Sequence, residues 1–249
     1  MLLLGFFAYF AGIAVLILTA NPVLFPTVVM IGCFTIPVAY VAFFYERRHL
    51  SRLNMPTTAK SFLYGGILGV FASALLEPLF IHRLSLFAFF LIGLIEEFAK
   101  LLGVLAIARR RRHEREIDGI ILGAGAGMGF ASFESSGYAF TAFLSSGGNL
   151  SFTVLLTLLR GLLSPLSHGT WTAILAGVLF RESGADRFRF NRTVLRAYLM
   201  VSVLHSLWDG VLFAGISRRG IHLLIAEVFV GGIGFLILWM QWRRAVRSN

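Results

Sequence analysis

Eight stretches of roughly 20 apolar residues, nearly free of charge and bounded by basic clusters, dominate this 249-residue sequence. A hydrocarbon core about 30 Å thick takes about 20 such residues to cross as a helix, and only helices or closed barrels satisfy their backbone there. The expected fold is therefore all-α, a polytopic bundle of about eight transmembrane helices. They lie near Leu2 to Ala20, Val23 to Tyr45, Ser61 to Phe80, Leu84 to Ala108, Ile117 to Phe143, Phe152 to Phe180, Leu195 to Ile216 and Ile221 to Gln241. With 57% hydrophobic and 14% charged residues, and a mean hydropathy of +0.82, the chain cannot cover itself with polar groups in water.

No Lys or Arg precedes the first stretch, and Leu18 to Ala20 makes a poor cleavage site, so this stretch is expected to be a retained helix rather than a signal peptide. No linker, low-complexity run or repeat of 20 to 50 residues interrupts the pattern, which predicts one domain over residues 1–249. The single cysteine, Cys33, lies in an apolar stretch and reads as packing.

Most of the 22 Lys and Arg residues fall on one side of the predicted spans. That side holds Arg47, Arg48, Arg52 and Lys60, then Arg109 to Arg112 with Arg115, then Arg181, Arg187, Arg189, Arg192 and Arg196, then Arg243, Arg244 and Arg247. Only Arg83, Arg218 and Arg219 fall on the other, while Lys100 and Arg160 lie within spans. The positive-inside rule then predicts that both termini are cytoplasmic. The net charge of +10 needs no nucleic acid, because these residues sit beside helix ends where anionic lipid headgroups are the nearer partner.

Ionisable groups deep in a bilayer cost roughly 2.5 to 3.5 kcal/mol each on insertion scales, so they persist where they pair or act. The fourth stretch carries Glu96, Glu97 and Lys100 near its centre. Glu96 and Lys100 are four residues apart and share a helix face, which leaves Glu97 as the less neutralised carboxylate. A carboxylate beside a like charge among apolar side chains suits a general base, and either Glu97 or Glu96 fits that role.

The fifth stretch begins at Asp118 and Gly119, continues through Gly123, Gly125, Gly127 and Gly129, and reaches Glu134. Small residues at this density let neighbouring helices approach closely, and this brings Glu134 toward the fourth stretch. The sixth places Arg160, Ser164, His168 and Thr172 at four-residue steps along one stripe, loosened by Pro165. The seventh carries His205 and Asp209 on one face, where a carboxylate can fix the imidazole tautomer. Glu97, Glu134, His168 and His205 come from four helices and are predicted to meet in one polar pocket. His49, His82, His113 and His222 lie at loops or helix ends and receive no chemistry, and Glu77 and Glu227 lie toward the outer side without an assigned role.

These residues resemble the motifs of the PrsW family of intramembrane proteases, related to the group that includes the type II CAAX prenyl endopeptidases. The matching elements are Glu96-Glu97-x-x-Lys100, Asp118-Gly119, Gly129-Phe130-Ala131-x-x-Glu134, Arg160 with His168, and Leu204-His205-x-x-x-Asp209, in a core of about residues 90 to 210. The resemblance implies a membrane peptidase whose paired glutamates and seventh-helix histidine are essential. It also implies a prokaryotic plasma-membrane location and a single-pass, anti-sigma-factor-like substrate cut at a first site on its outer side. One departure is Ser135, where the family often has Asn.

The residues themselves suit hydrolysis, which needs a base to activate water, donors for the developing oxyanion and an acid for the leaving amine. Glu96 or Glu97 would be the base, with His205 or His168 as oxyanion donor or proton shuttle. Ser132 and Ser164 lack a base motif for a nucleophilic role. Glu96, Glu97, Glu134 and Asp209 outnumber Lys100 and Arg160 by two charges, which Zn²⁺ held by His168, His205 and Glu134 would neutralise, as would protonation of a glutamate and a histidine. A proton-coupled transporter is the rival reading, since such relays also mark ion pathways, but no internal inverted repeat is visible.

Overall fold

The computed structural model describes residues 1–47, 51, 53–108, 115–184, 187–215 and 221–247, with the side chains of 211–215 and 221–223 left aside. Arg48, His49, Arg52, Arg109 to Arg112, His113, Arg218 and Arg219 lie outside the described residues. The helices are α1 (Leu2–Thr19), α2 (Leu24–Tyr45), α3 (Met55–Phe80), α4 (Leu86–Ala108), α5 (Glu116–Ser145), α6 (Leu150–Leu163), α7 (His168–Glu182), α8 (Arg192–Gly215) and α9 (Ile221–Arg247), and no strand occurs among the described residues.

Local sequence sets several of these boundaries. Asn54 caps α3 by accepting the Thr57 backbone N–H, with Pro56 in the first turn, and Asn149 caps α6 by accepting from Phe152. Gly147 and Gly148 take φ of +66° and +87° between α5 and α6, a region that side-chain-bearing residues seldom enter.

Four of the described helices, and α6 and α7 taken together, are long and apolar enough to cross a membrane: Leu2–Thr19, Leu24–Tyr45, Met55–Phe80, Leu150–Glu182 and Leu224–Arg247. Their outer faces carry large apolar side chains into the surroundings, including Leu3, Phe7, Leu18, Phe71, Leu75 and Phe229. In water such a surface would aggregate, whereas hydrocarbon is its natural solvent.

The first half of α5 is the axis of the fold, buried continuously from Glu116 to Ser132. Gly119, Gly123 and Gly127, one turn apart, lie against the α7 backbone at Ala176, Thr172 and His168, while Gly129 lies against Phe62 of α3. A methyl group at Gly127 would collide with the His168 carbonyl oxygen. Gly127→Ala is therefore expected to cost about 1–3 kcal/mol through forced separation of α5 and α7, read as a lowered unfolding midpoint in detergent. An unchanged midpoint would contradict this account of the seam.

The sixth predicted stretch is not one helix, and this corrects the expectation of a continuous stripe. Pro165 has no N–H for the Gly161 carbonyl, so that carbonyl accepts the Ser164 hydroxyl at 2.8 Å instead. The chain tightens into a 3-10 turn over Ser164–Leu166, and Ser167 leaves helical geometry at φ −117°, ψ −115° before α7 starts at His168. Thr170 satisfies the Pro165 carbonyl at 2.6 Å. Ser164 is thereby spent on the break, and His168 stands at the first residue of a new helix.

Candidate active site

The site forms around one ammonium group. Lys100 Nζ lies 3.0 Å from Glu96 Oε2, 2.8 Å from Glu97 Oε1 and 2.8 Å from His168 Nδ1, and 4.1 Å from the centre of the Phe130 ring. A lysine ammonium has three N–H donors and no acceptor, so each proton has a partner and His168 Nδ1 must accept. The proton of His168 then sits on Nε2, which faces Glu134 Oε2 at 3.3 Å.

Lys100 pairs with both glutamates, and this corrects the reading of Glu97 as the less neutralised one. Residues three apart on a helix meet as well as residues four apart. Glu97 is in fact the more enclosed: its Oε2 accepts from the Thr172 hydroxyl at 3.1 Å, its Oε1 lies 3.2 Å from His205 Nδ1, and its side chain is 0% exposed. The Glu96 side chain, at 7% exposed, meets His205 Nε2 at 3.5 Å and His168 Nδ1 at 3.9 Å.

Helix packing delivers His205 to this point. Gly93 lets α8 approach until a methyl group there would stand 2.6 Å from the Ser202 carbonyl, and the Tyr198 hydroxyl donates to the Leu94 carbonyl at 2.7 Å. His205 Nε2 also lies 3.4 Å from Asp209 Oδ2, one turn on, as its spacing predicts. The Trp171 ring covers His205 at 4.8 Å between centroids.

Glu134 closes the other side. Arg160 donates to Glu134 Oε2 at 2.6 Å and to the Ser135 hydroxyl at 3.0 Å, and its guanidinium lies over Tyr138 at 4.1 Å. Ser135, the departure from the family pattern, thus serves as a second acceptor for Arg160. Exposure rises outward from Lys100 and Glu97 at 0% to Glu134 at 18%, Arg160 at 22% and Asp209 at 26%. The polar cluster is thus most accessible at those three residues.

One expected supporting residue, Asp118, does not join. Asp118 sits sixteen residues before Glu134, about 24 Å along α5 at 1.5 Å per residue, where it accepts from Ser51. Ser132 and Ser164 each donate to a carbonyl of their own helix at 2.8 Å, so neither is poised as a nucleophile. The atoms that converge to metal-binding size belong to Glu96, His168 and His205, all within 4.8 Å of one another. The expected trio of His168, His205 and Glu134 differs from this by one carboxylate, since Glu134 is drawn to Arg160.

Glu116 did not stand out in the sequence, lying at a helix end beside basic residues. This buried carboxylate at the start of α5 accepts from Arg181 at 3.1 Å and Arg244 at 2.5 Å, tying the ends of α5, α7 and α9 together. Two arginines expected to face lipid headgroups thus also pair with a buried carboxylate. Arg160 stacking on Tyr138 could have been seen in the four-residue step from Glu134 to Tyr138.

A sequence profile described as "PrsW family intramembrane metalloprotease" matches residues 54–240. Protease PrsW of Halalkalibacterium halodurans is 32% identical over 180 residues, covering 70% of this chain and 79% of that protein. No solved structure matches.

Proposed function

The chain belongs to the PrsW family of intramembrane metalloproteases, and from that premise we propose that it hydrolyses peptide bonds of single-pass, anti-sigma-factor-like membrane proteins at the pocket around Glu96. The observation that carries this reading is the convergence of Glu96, Glu97 and His168 on Lys100, with His205 set against both glutamates, from three separate helices. Glu96 is the base, because it is the carboxylate of the pair that faces both imidazoles and keeps some exposure. His168 Nε2, which faces Glu134 at the more accessible side of the cluster, donates to the developing oxyanion in exchange for that contact. His205 is held at Nδ1 by Glu97, which leaves Nε2 to exchange a proton with the leaving amine. Glu97 keeps Lys100 and His205 in place.

The donor set also fits the metal named in the family description. Two imidazoles and a carboxylate are a catalytic zinc set, and their ligand atoms lie within 4.8 Å of one another, with 3.5 Å between His205 Nε2 and Glu96 Oε2 and 3.9 Å between His168 Nδ1 and Glu96 Oε2. Glu96, His168 and His205 would hold it in place of the base, donor and shuttle roles given above, and a bound Zn²⁺ would supply Lewis acidity to a carbonyl or to a water.

The same reading places eight spans in the prokaryotic plasma membrane, with α6 and α7 together as the broken sixth and residues 1–249 as one protease domain. Three charges near the middle of α4 and the glycines of α5 lower the hydropathy of spans that are otherwise long enough. The relation to the CAAX prenyl endopeptidases belongs to this proposal too. With the termini cytoplasmic, the more accessible side at Glu134, Arg160 and Asp209 faces the outer half of the bilayer, where the substrate enters. A reporter fused to the C-terminus that is active only in the cytoplasm is expected. Activity only outside would reverse the orientation.

The test is co-reconstitution with a panel of single-pass substrates in liposomes, with His205→Ala alongside. Wild type should generate new termini in the outer half of the substrate's transmembrane region, and His205→Ala should generate none. Absence of cleavage accompanied by proton-coupled flux would replace the peptidase with a transporter.

A further inference from the structure

The metal fit leaves one conflict, and it lies at Lys100. An imidazole nitrogen offers one in-plane lone pair, which serves either a hydrogen-bond donor or a metal. At His168 that lone pair is on Nδ1 and is taken by Lys100 Nζ at 2.8 Å, while Nε2 carries its proton toward Glu134. The same ammonium holds Glu96 Oε2 at 3.0 Å. Two of the three groups that would bind a metal are thus already bound to a cation.

We propose that Lys100 and a divalent metal ion are alternative occupants of Glu96 and His168, so that metal binding requires the ammonium to leave His168 Nδ1. The inference rests on the metal-assisted reading of the site. His205 is not part of the conflict: with Nδ1 on Glu97, its Nε2 is free of Lys100 and already faces Glu96. Glu97 explains how the lysine can withdraw. At 2.8 Å it is the partner of Lys100 that is not among the metal donors, and it keeps the ammonium neutralised inside the bundle after Nδ1 is surrendered. This gives the second glutamate of the pair a task that an isolated ion pair would not need.

The experiment uses the full chain in detergent with Co²⁺ as the probe, read by its absorption spectrum and by competition with a chelator. Lys100→Met removes the competing donor while preserving an unbranched apolar stem. It should bind Co²⁺ at least about tenfold more tightly than wild type, since a hydrogen bond to a charged donor no longer has to be broken first. Lys100→Met combined with His205→Ala should lose that gain. Equal or weaker binding by Lys100→Met overturns the proposal, as does tight binding that survives His205→Ala. Should Lys100→Met fail to fold, wild type with Co²⁺ decides the matter by anomalous scattering. An ion at Glu96, His168 and His205 with Nζ beyond about 3.5 Å from Nδ1 supports exclusion, and an ion there with the Lys100 bond intact, or no ion at this site, overturns it. None of these measurements reads cleavage, so the peptidase reading stands or falls separately.

Discussion

Glu96→Gln is expected to lower the cleavage rate by about 10²–10⁴-fold, the usual contribution of a positioned general base, while the helices remain assembled. The amide keeps the shape of the carboxylate and its oxygen can still accept from Lys100, but it cannot take a proton from water at neutral pH. Glu97→Gln should behave differently. That side chain is sealed, and it answers to Lys100, Thr172 and His205 together. Its loss should reduce stability along with rate, because an amide oxygen replaces a charged partner of a buried ammonium. The comparison is made by cleavage kinetics and thermal unfolding on the same preparations. Equal loss of stability in both variants would remove the division of labour between the two glutamates.

Lys100→Ala should destabilise the bundle by about 3–5 kcal/mol in chelated buffer, the range found when one partner of a buried ion pair is removed. It strands two carboxylates at once, neither with much water to turn to, and it opens a space beside Phe130. Protonation of a glutamate would limit the cost, so the deficit should shrink as pH falls and the stranded charge is discharged. Denaturant unfolding in detergent at two pH values measures this. A variant as stable as wild type would show that Lys100 does not hold the site together.

Much of this was legible in the sequence, for a simple reason. Charges inside apolar stretches stand out against hydrocarbon, and Glu96, Glu97, Lys100, Glu134, Arg160, His168, His205 and Asp209 were all visible by that contrast, as was the small-residue seam of α5. What the pattern could not supply was rotamer and partner. Spacing alone paired Lys100 with Glu96, yet the lysine stem reaches Glu97 as readily, and only packing shows that Thr172 donates to Glu97 and that His205 bridges the two glutamates. The break at Pro165 was visible as a loosened ladder, but its extent depended on Ser164, Ser167 and Thr170 turning back onto freed carbonyls. Asp118 matched a motif without joining the pocket, because a motif records order along the chain and not which end of a 30-residue helix faces the chemistry.

The central claim is that this pocket cuts peptide bonds with Glu96 as base, and it is tested most directly by quantifying new substrate termini by mass spectrometry. Wild type and Glu96→Gln are to be compared side by side in liposomes carrying one single-pass substrate. The account predicts a defined pair of new termini with wild type and none above background with a folded Glu96→Gln. Equal yields of the same termini from both proteins would contradict it.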